Sequence, residues 1–96
     1  MPDGDAWSRR RWVVEGRVQG VGFRAWTLRR ARELGLRGLV SNLADGSVDV
    51  EVEGPAEAVS RMQEFLRQGP VLARVTRLRD VAARPGVLPY PFDVAF

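Results

Sequence analysis

The chain has 96 residues, and its 15 basic side chains are all arginine; it carries no lysine, histidine or cysteine and a single asparagine, Asn42. That inventory excludes a Ser-His-Asp triad, a thiolate nucleophile or thiolate zinc site, a Schiff-base lysine and a Walker-type phosphate lysine, so catalysis would have to run on arginine, carboxylates, hydroxyls, amides or the backbone. With 45% hydrophobic residues, 28% charged residues and a net charge of +3, the composition is that of one soluble globular domain that favours anionic partners.

Residues 1–9 show no periodicity and read as a flexible leader, with residues 10–96 as the single folded domain. From Arg11 the pattern alternates, Trp12, Val14, Gly16 and Val18 falling on one face, which predicts a half-buried strand. Gly20-Val21-Gly22 breaks it. Arg24 to Leu34 reads as a helix with Thr27, Ala31 and Leu34 on one face, stopped by Gly35. Leu36 to Leu43 is a second strand, turned by Ala44-Asp45-Gly46 into a third from Ser47 to Glu53, where Val48, Val50 and Val52 alternate with Asp49, Glu51 and Glu53.

Gly54-Pro55 opens a second helix, whose Ala58, Val59, Met62, Phe65 and Leu66 share one arc, and Gly69-Pro70 ends it. A fourth strand is expected within Val75 to Ala82. A proline-rich loop from Arg84 to Pro91 then leads to Phe92, Val94 and Phe96, which alternate as a short terminal strand. The order β-α-β-β-α-β predicts an α+β, ferredoxin-like sandwich: an antiparallel-dominated sheet with two helices on one face and a short C-terminal strand. That fold hosts enzymes, RNA-binding modules and regulatory domains, so it leaves function open.

The informative segment is Val18-Gln19-Gly20-Val21-Gly22-Phe23-Arg24, between a strand and a helix. Two glycines around one residue let successive N–H groups point into a concavity at a helix N-terminus, a cradle for an anion of phosphate size. Arg24 adds a planar fork of donors. The alternative is a tight turn whose glycines only relieve sterics, since the spacing fits neither the Walker nor the Rossmann pattern. Asn42, just ahead of the Asp45-Gly46 turn, offers an amide that can hold a water or support an anion, or that simply caps the turn.

Arg9-Arg10-Arg11 and Arg29-Arg30-x-Arg32 read as solvated faces rather than a nucleic-acid footprint, because the third strand shows Val, Asp and Glu where an RNA-binding sheet would show aromatics. Asp49, Glu51 and Glu53 likewise read as solvent-facing, without the clustering of a metal site. Trp7, Trp12 and Trp26 read as packing residues, Trp26 alternatively as a wall of the cradle. No apolar run approaches the roughly 18 residues of a membrane span, no secretory signal is evident, and a cytoplasmic location is expected.

The run Glu15-Gly16-Arg17-Val18-Gln19-Gly20-Val21-Gly22-Phe23-Arg24 resembles the first signature of the acylphosphatase family. Gly35-Leu36-x-Gly38-x-Val40-x-Asn42 followed by Asp45-Gly46-x-Val48 resembles the second. The resemblance implies hydrolysis of a carboxylic-phosphoric anhydride such as acetyl phosphate. It assigns phosphate binding to Arg24 with the backbone amides of Gln19, Gly20, Val21, Gly22, Phe23 and Arg24, and positioning of the attacking water to Asn42. The substrate's own phosphate would take the water's proton, with no cofactor and no metal. The expected partner is a small anionic acyl phosphate, met by a monomer without nucleic acid or membrane. The alternatives are a non-catalytic anion- or RNA-binding ferredoxin-like module, and a relative of the acylphosphatase-like domain that begins larger carbamoyl-transfer proteins.

Overall fold

Residues 6–95 are described by the structure, a computed structural model. Its elements are β1 (Trp7–Arg17), α1 (Phe23–Glu33), β2 (Arg37–Asn42), β3 (Val48–Pro55), α2 (Ala56–Gln68), β4 (Arg74–Val81) and β5 (Asp93–Val94). The strands form one sheet in the order β4-β1-β3-β2-β5, antiparallel throughout except for the parallel β2–β5 pair. This is the ferredoxin-like arrangement that the periodicity predicts. β1 takes in Trp7, Ser8 and Arg9, which the sequence reading left in the leader, and pairs Trp7 with Pro55; residues 1–5 lie outside the described residues. The terminal strand is shorter than expected, and Phe96 also falls outside them.

Apolar alternation decides what the sheet buries. Trp12 and Val14 from β1, Val40 from β2 and Val48, Val50 and Val52 from β3 share one core with Phe23, Ala31, Val59, Met62 and Leu66 of the two helices. Phe92 closes this core with no exposed surface, a burial that contributes about 1.5–3 kcal/mol. α1 stops as Gly35 predicts: Gly35 takes φ +70, its N–H reaches the Arg32 carbonyl at 3.1 Å, and the Leu36 N–H reaches that of Ala31 at 3.0 Å. These paired bonds satisfy carbonyls of the last turn and send Leu36 back into the core. α2 opens one residue later than expected, with Pro55 as its N-cap.

The second face of the sheet corrects two expectations. Asp49 and Glu51 are 2% and 1% exposed, because the proline-rich segment folds back over them, with Leu88 buried and the Gly38 N–H donating to the Pro89 carbonyl. Arg9 Nε donates to Glu51 and Arg11 Nε to Asp49, both at 3.0 Å, and Arg84 pairs with Asp49 as well. Arg9 also donates to the carbonyls of Gly86 and Arg84 at 2.6 and 2.7 Å. The expected solvated arginine run is therefore split by strand parity. Arg9 and Arg11 clamp the returning segment over buried carboxylates, while Arg10 pairs with Asp80 at 2.6 Å and lies over the Trp12 ring. Losing one partner of such a buried pair typically costs about 3–5 kcal/mol, since it strands a charge away from water. Beside Asp49, the Arg11 guanidinium has its pKa raised further by the hydrogen bond. Trp7, expected to pack, is instead 66% exposed.

Candidate anion-binding active site

β1 ends at Arg17, and the buried Val18 anchors the chain as it leaves the sheet. Gly20 and Gly22 then take φ +74 and +77, left-handed values that only glycine adopts at little cost. A Cβ at either position would meet nothing within 4 Å. The glycines therefore serve the direction of the backbone and not a close approach. Gly22 is also the N-cap of α1, whose first helical bond runs from the Trp26 N–H to the Gly22 carbonyl at 3.0 Å.

A glycine cap brings no side-chain oxygen, and the first turn of α1 contains no acidic residue. Helix N-termini ordinarily satisfy their unpaired N–H groups with a capping side chain. Here the N-cap offers no such side chain, and the helix dipole at this end favours an anion. Phe23 is buried in the core, which fixes the first turn on the sheet, and meets the Trp26 ring in a tilted contact at 5.7 Å between centroids.

Asn42 ends β2 and is exposed, at the same end of the sheet as the loop. Val18, Gln19, Gly20, Gly22, Phe23, Arg24 and Asn42 all border one concavity of about 300 Å³. Val21, expected to contribute its backbone amide, does not border this concavity, and its side chain packs against the core. Trp26 does not wall the concavity; it turns to Phe65, edge to face at 6.3 Å. None of the described residues bordering the concavity is a carboxylate.

Three apolar residues that the sequence reading missed complete the rim: Ala25, Leu28 and Val94. Leu28 stands one helical turn past Arg24, and that spacing is visible in the sequence. Val94 is brought in by β5 lying parallel to β2, with Val40 opposite Val94, which nothing in the sequence announces. The site therefore combines the glycine loop, Arg24 and Asn42 with an apolar rim.

The side-chain amide of Gln19 is engaged by the hairpin. Its Nε2 donates to the carbonyls of Leu43 and Ser47, each at 2.8 Å. The hairpin tip between these residues is braced by Asp45, whose Oδ1 accepts from the Ser47 N–H at 2.9 Å and from its hydroxyl at 2.5 Å. Those two bonds from Ser47 hold the Asp45 carboxyl below its usual pKa. Among the described residues, no three acidic side chains converge as a metal site would require, and no helix is long and apolar enough to cross a membrane.

A family model described as Acylphosphatase matches residues 10–85. The chain is 47% identical over 90 residues to an acylphosphatase of Nitratidesulfovibrio vulgaris (strain DP4), covering 92% of this chain and 90% of that protein. It is 49% identical over 71 residues to an acylphosphatase of Synechococcus sp. (strain CC9902), where the match spans 74% of this chain and 61% of the relative. The crystal structure of acylphosphatase from Bacillus subtilis superposes with a TM-score of 0.85 at 32% identity, covering 95% of this chain and all of that one.

Proposed function

The chain belongs to the acylphosphatase family and is an enzyme that hydrolyses acyl phosphates, and on that footing we propose how its residues divide the reaction. The phosphoryl group sits in the loop from Gln19 to Arg24, accepting hydrogen bonds from the backbone N–H groups that the left-handed glycines turn inward, while the Arg24 guanidinium closes on two of its oxygens. Asn42 holds a water on the other side of the phosphorus. The water oxygen attacks, the bond between phosphorus and the acyl oxygen breaks, and the carboxylate departs with its electron pair. A carboxylate leaves readily without protonation, so no general acid is needed. The water's proton passes to a phosphate oxygen of the substrate, a route consistent with the described residues bordering the concavity, none of which is a carboxylate.

What remains for the protein is positioning and charge stabilisation, the main tasks in phosphoryl transfer. The observation that carries this division is the start of α1, whose N-cap is a glycine in the left-handed region, sharing one concavity with Arg24 and Asn42. The acyl group then lies toward Ala25, Leu28 and Val94. The same reading has the protein working as a cytoplasmic monomer without metal, cofactor or nucleic-acid partner. The covering of the second sheet face by residues 84–89 argues against the RNA-binding alternative, since single-stranded RNA on this fold needs that face open.

The test is release of inorganic phosphate from acetyl phosphate by the purified protein in excess EDTA. Turnover well above spontaneous hydrolysis is expected. Turnover at the spontaneous rate with and without EDTA refutes the catalytic scheme, and loss only in EDTA refutes its metal-free part.

A further inference from the structure

We propose that the Gln19 side chain is a positioning residue, which sets where Asn42 stands relative to the anion cradle. The inference rests on the role given above to Asn42 and adds a separate residue to it. The β1–β3 ladder ends with Val14 opposite Val48. Beyond it β1 shifts register between Glu15 and Gly16 and continues only against β4, pairing Gly16 with Val75 and Arg17 with Arg74. Asn42 itself is the last residue of the β2–β3 ladder, opposite Val48, but the hairpin tip that follows it and the loop that cradles the anion leave the sheet side by side with no ladder between them.

Gln19 supplies that connection. Its amide lies across the neck of the hairpin, with both N–H protons donated to carbonyls, Leu43 and Ser47, at 2.8 Å each. Two acceptors facing one amide also fix its orientation, because only the nitrogen end can donate. Leu43 directly follows Asn42, and the Leu43 N–H closes the hairpin on the Ser47 carbonyl at 2.9 Å. Gln19 is at the same time the first residue of the cradle. One side chain thus spans from the phosphate's backbone donors to the peptide next to the water-holding residue.

The same geometry makes the proposal testable without unfolding the hairpin. Each carbonyl that Gln19 engages keeps a second donor: Leu43 from the Gly46 N–H at 3.2 Å, and Ser47 from the Leu43 N–H. Gln19→Met removes the two donors at nearly constant length, and leaves both carbonyls partnered and the residue-19 backbone amide in place. A reacting group displaced by about 1 Å can lose up to ~100-fold in rate. Gln19→Met is accordingly expected to lower kcat about 10- to 100-fold, with KM for acetyl phosphate and the inhibition constant of inorganic phosphate within about twofold of wild type.

The deciding measurement is a double-mutant cycle of Gln19→Met with Asn42→Ala. If Gln19 acts through Asn42, adding Gln19→Met to Asn42→Ala changes kcat less than about twofold. Losses that multiply, or a phosphate inhibition constant that rises in step with the fall in kcat, overturn the proposal. An Asn42→Ala enzyme with wild-type kcat refutes the water-positioning role itself and takes the proposal with it. A fully active Gln19→Met enzyme beside an impaired Asn42→Ala enzyme refutes the proposal alone. Should Gln19→Met lose its native circular dichroism, Gln19→Asn is used in the same cycle. It keeps an amide but is one methylene too short to reach both carbonyls, and the same outcomes apply.

Discussion

Replacing Gly22 with alanine separates the direction of the cradle backbone from its crowding. Gly22 has φ 77 and ψ 19, and a Cβ there would meet nothing within 4 Å. The methyl group then costs only its own backbone conformation, about 1–2 kcal/mol for a non-glycine residue held left-handed. Against a stability on the order of 5–15 kcal/mol the fold survives. The cost must nevertheless surface in one of two places. If the free loop keeps its shape, unfolding in urea becomes easier by that amount. If the free loop relaxes to negative φ, stability is spared, and a bound phosphate must restore the left-handed turn at its own expense, losing about 5- to 30-fold in affinity. The loss in unfolding free energy plus the loss in phosphate-binding free energy is therefore expected to total about 1–2 kcal/mol, however it divides. Urea denaturation and competitive inhibition by inorganic phosphate measure the two parts. Gly35→Ala is the control, at φ +70 and likewise in open space but at the far end of α1. Its cost should fall on stability alone. A Gly22→Ala protein unchanged in both quantities, or a Gly35→Ala protein that loses phosphate affinity as Gly22→Ala does, would refute the reasoning.

Arg24→Ala is expected to remove about 3 kcal/mol of transition-state stabilisation, roughly a 150-fold fall in kcat/KM, the scale of a preorganised donor. Arg24→Lys should recover only part of it, because an ammonium keeps the charge and loses the two-pronged contact; equal activity of Arg24→Ala and wild type would place the phosphate elsewhere. At the hairpin tip, the pKa of Asp45 is lowered by its bonds from Ser47. A carboxyl with a depressed folded pKa contributes stability that is fully present above its unfolded value near 3.8 and is lost as pH falls through the folded value. Asp45→Asn keeps an acceptor and loses the charge. Its deficit in urea midpoint relative to wild type should therefore be constant at neutral pH and shrink as the pH drops below about 4, and a deficit that grows on acidification would contradict the sign.

How much of this was legible in the sequence depends on whether the cause is local. Val48, Val50 and Val52 announce β3 because alternation is a property of one strand, and Val59, Met62 and Leu66 announce the buried side of α2 for the same reason. Gly20 and Gly22 were legible as a turned backbone because a positive φ next to a helix start is a demand that only glycine meets cheaply. Asp49 and Glu51 follow the same alternation and were nevertheless misread. Alternation says that two faces of a strand differ; it does not say that the polar face meets water. That was decided some thirty residues later in the chain, where the Arg84 N–H donates to Glu51 at 3.0 Å and the returning segment covers both carboxylates. The arginines carried the missing information in their parity. Arg9 and Arg11 stand two apart and so share a face with each other and with Asp49 and Glu51 across the β1–β3 pair, whereas Arg10 between them cannot. A run of like charges is commonly solvated, but on a central strand every second one is turned toward the same neighbours, and carboxylates alternating on the adjacent strand are their natural partners. The side chain of Gln19 defeats such reasoning for another reason: its two acceptors are 24 and 28 residues away and are backbone carbonyls, which every residue possesses and no sequence pattern distinguishes.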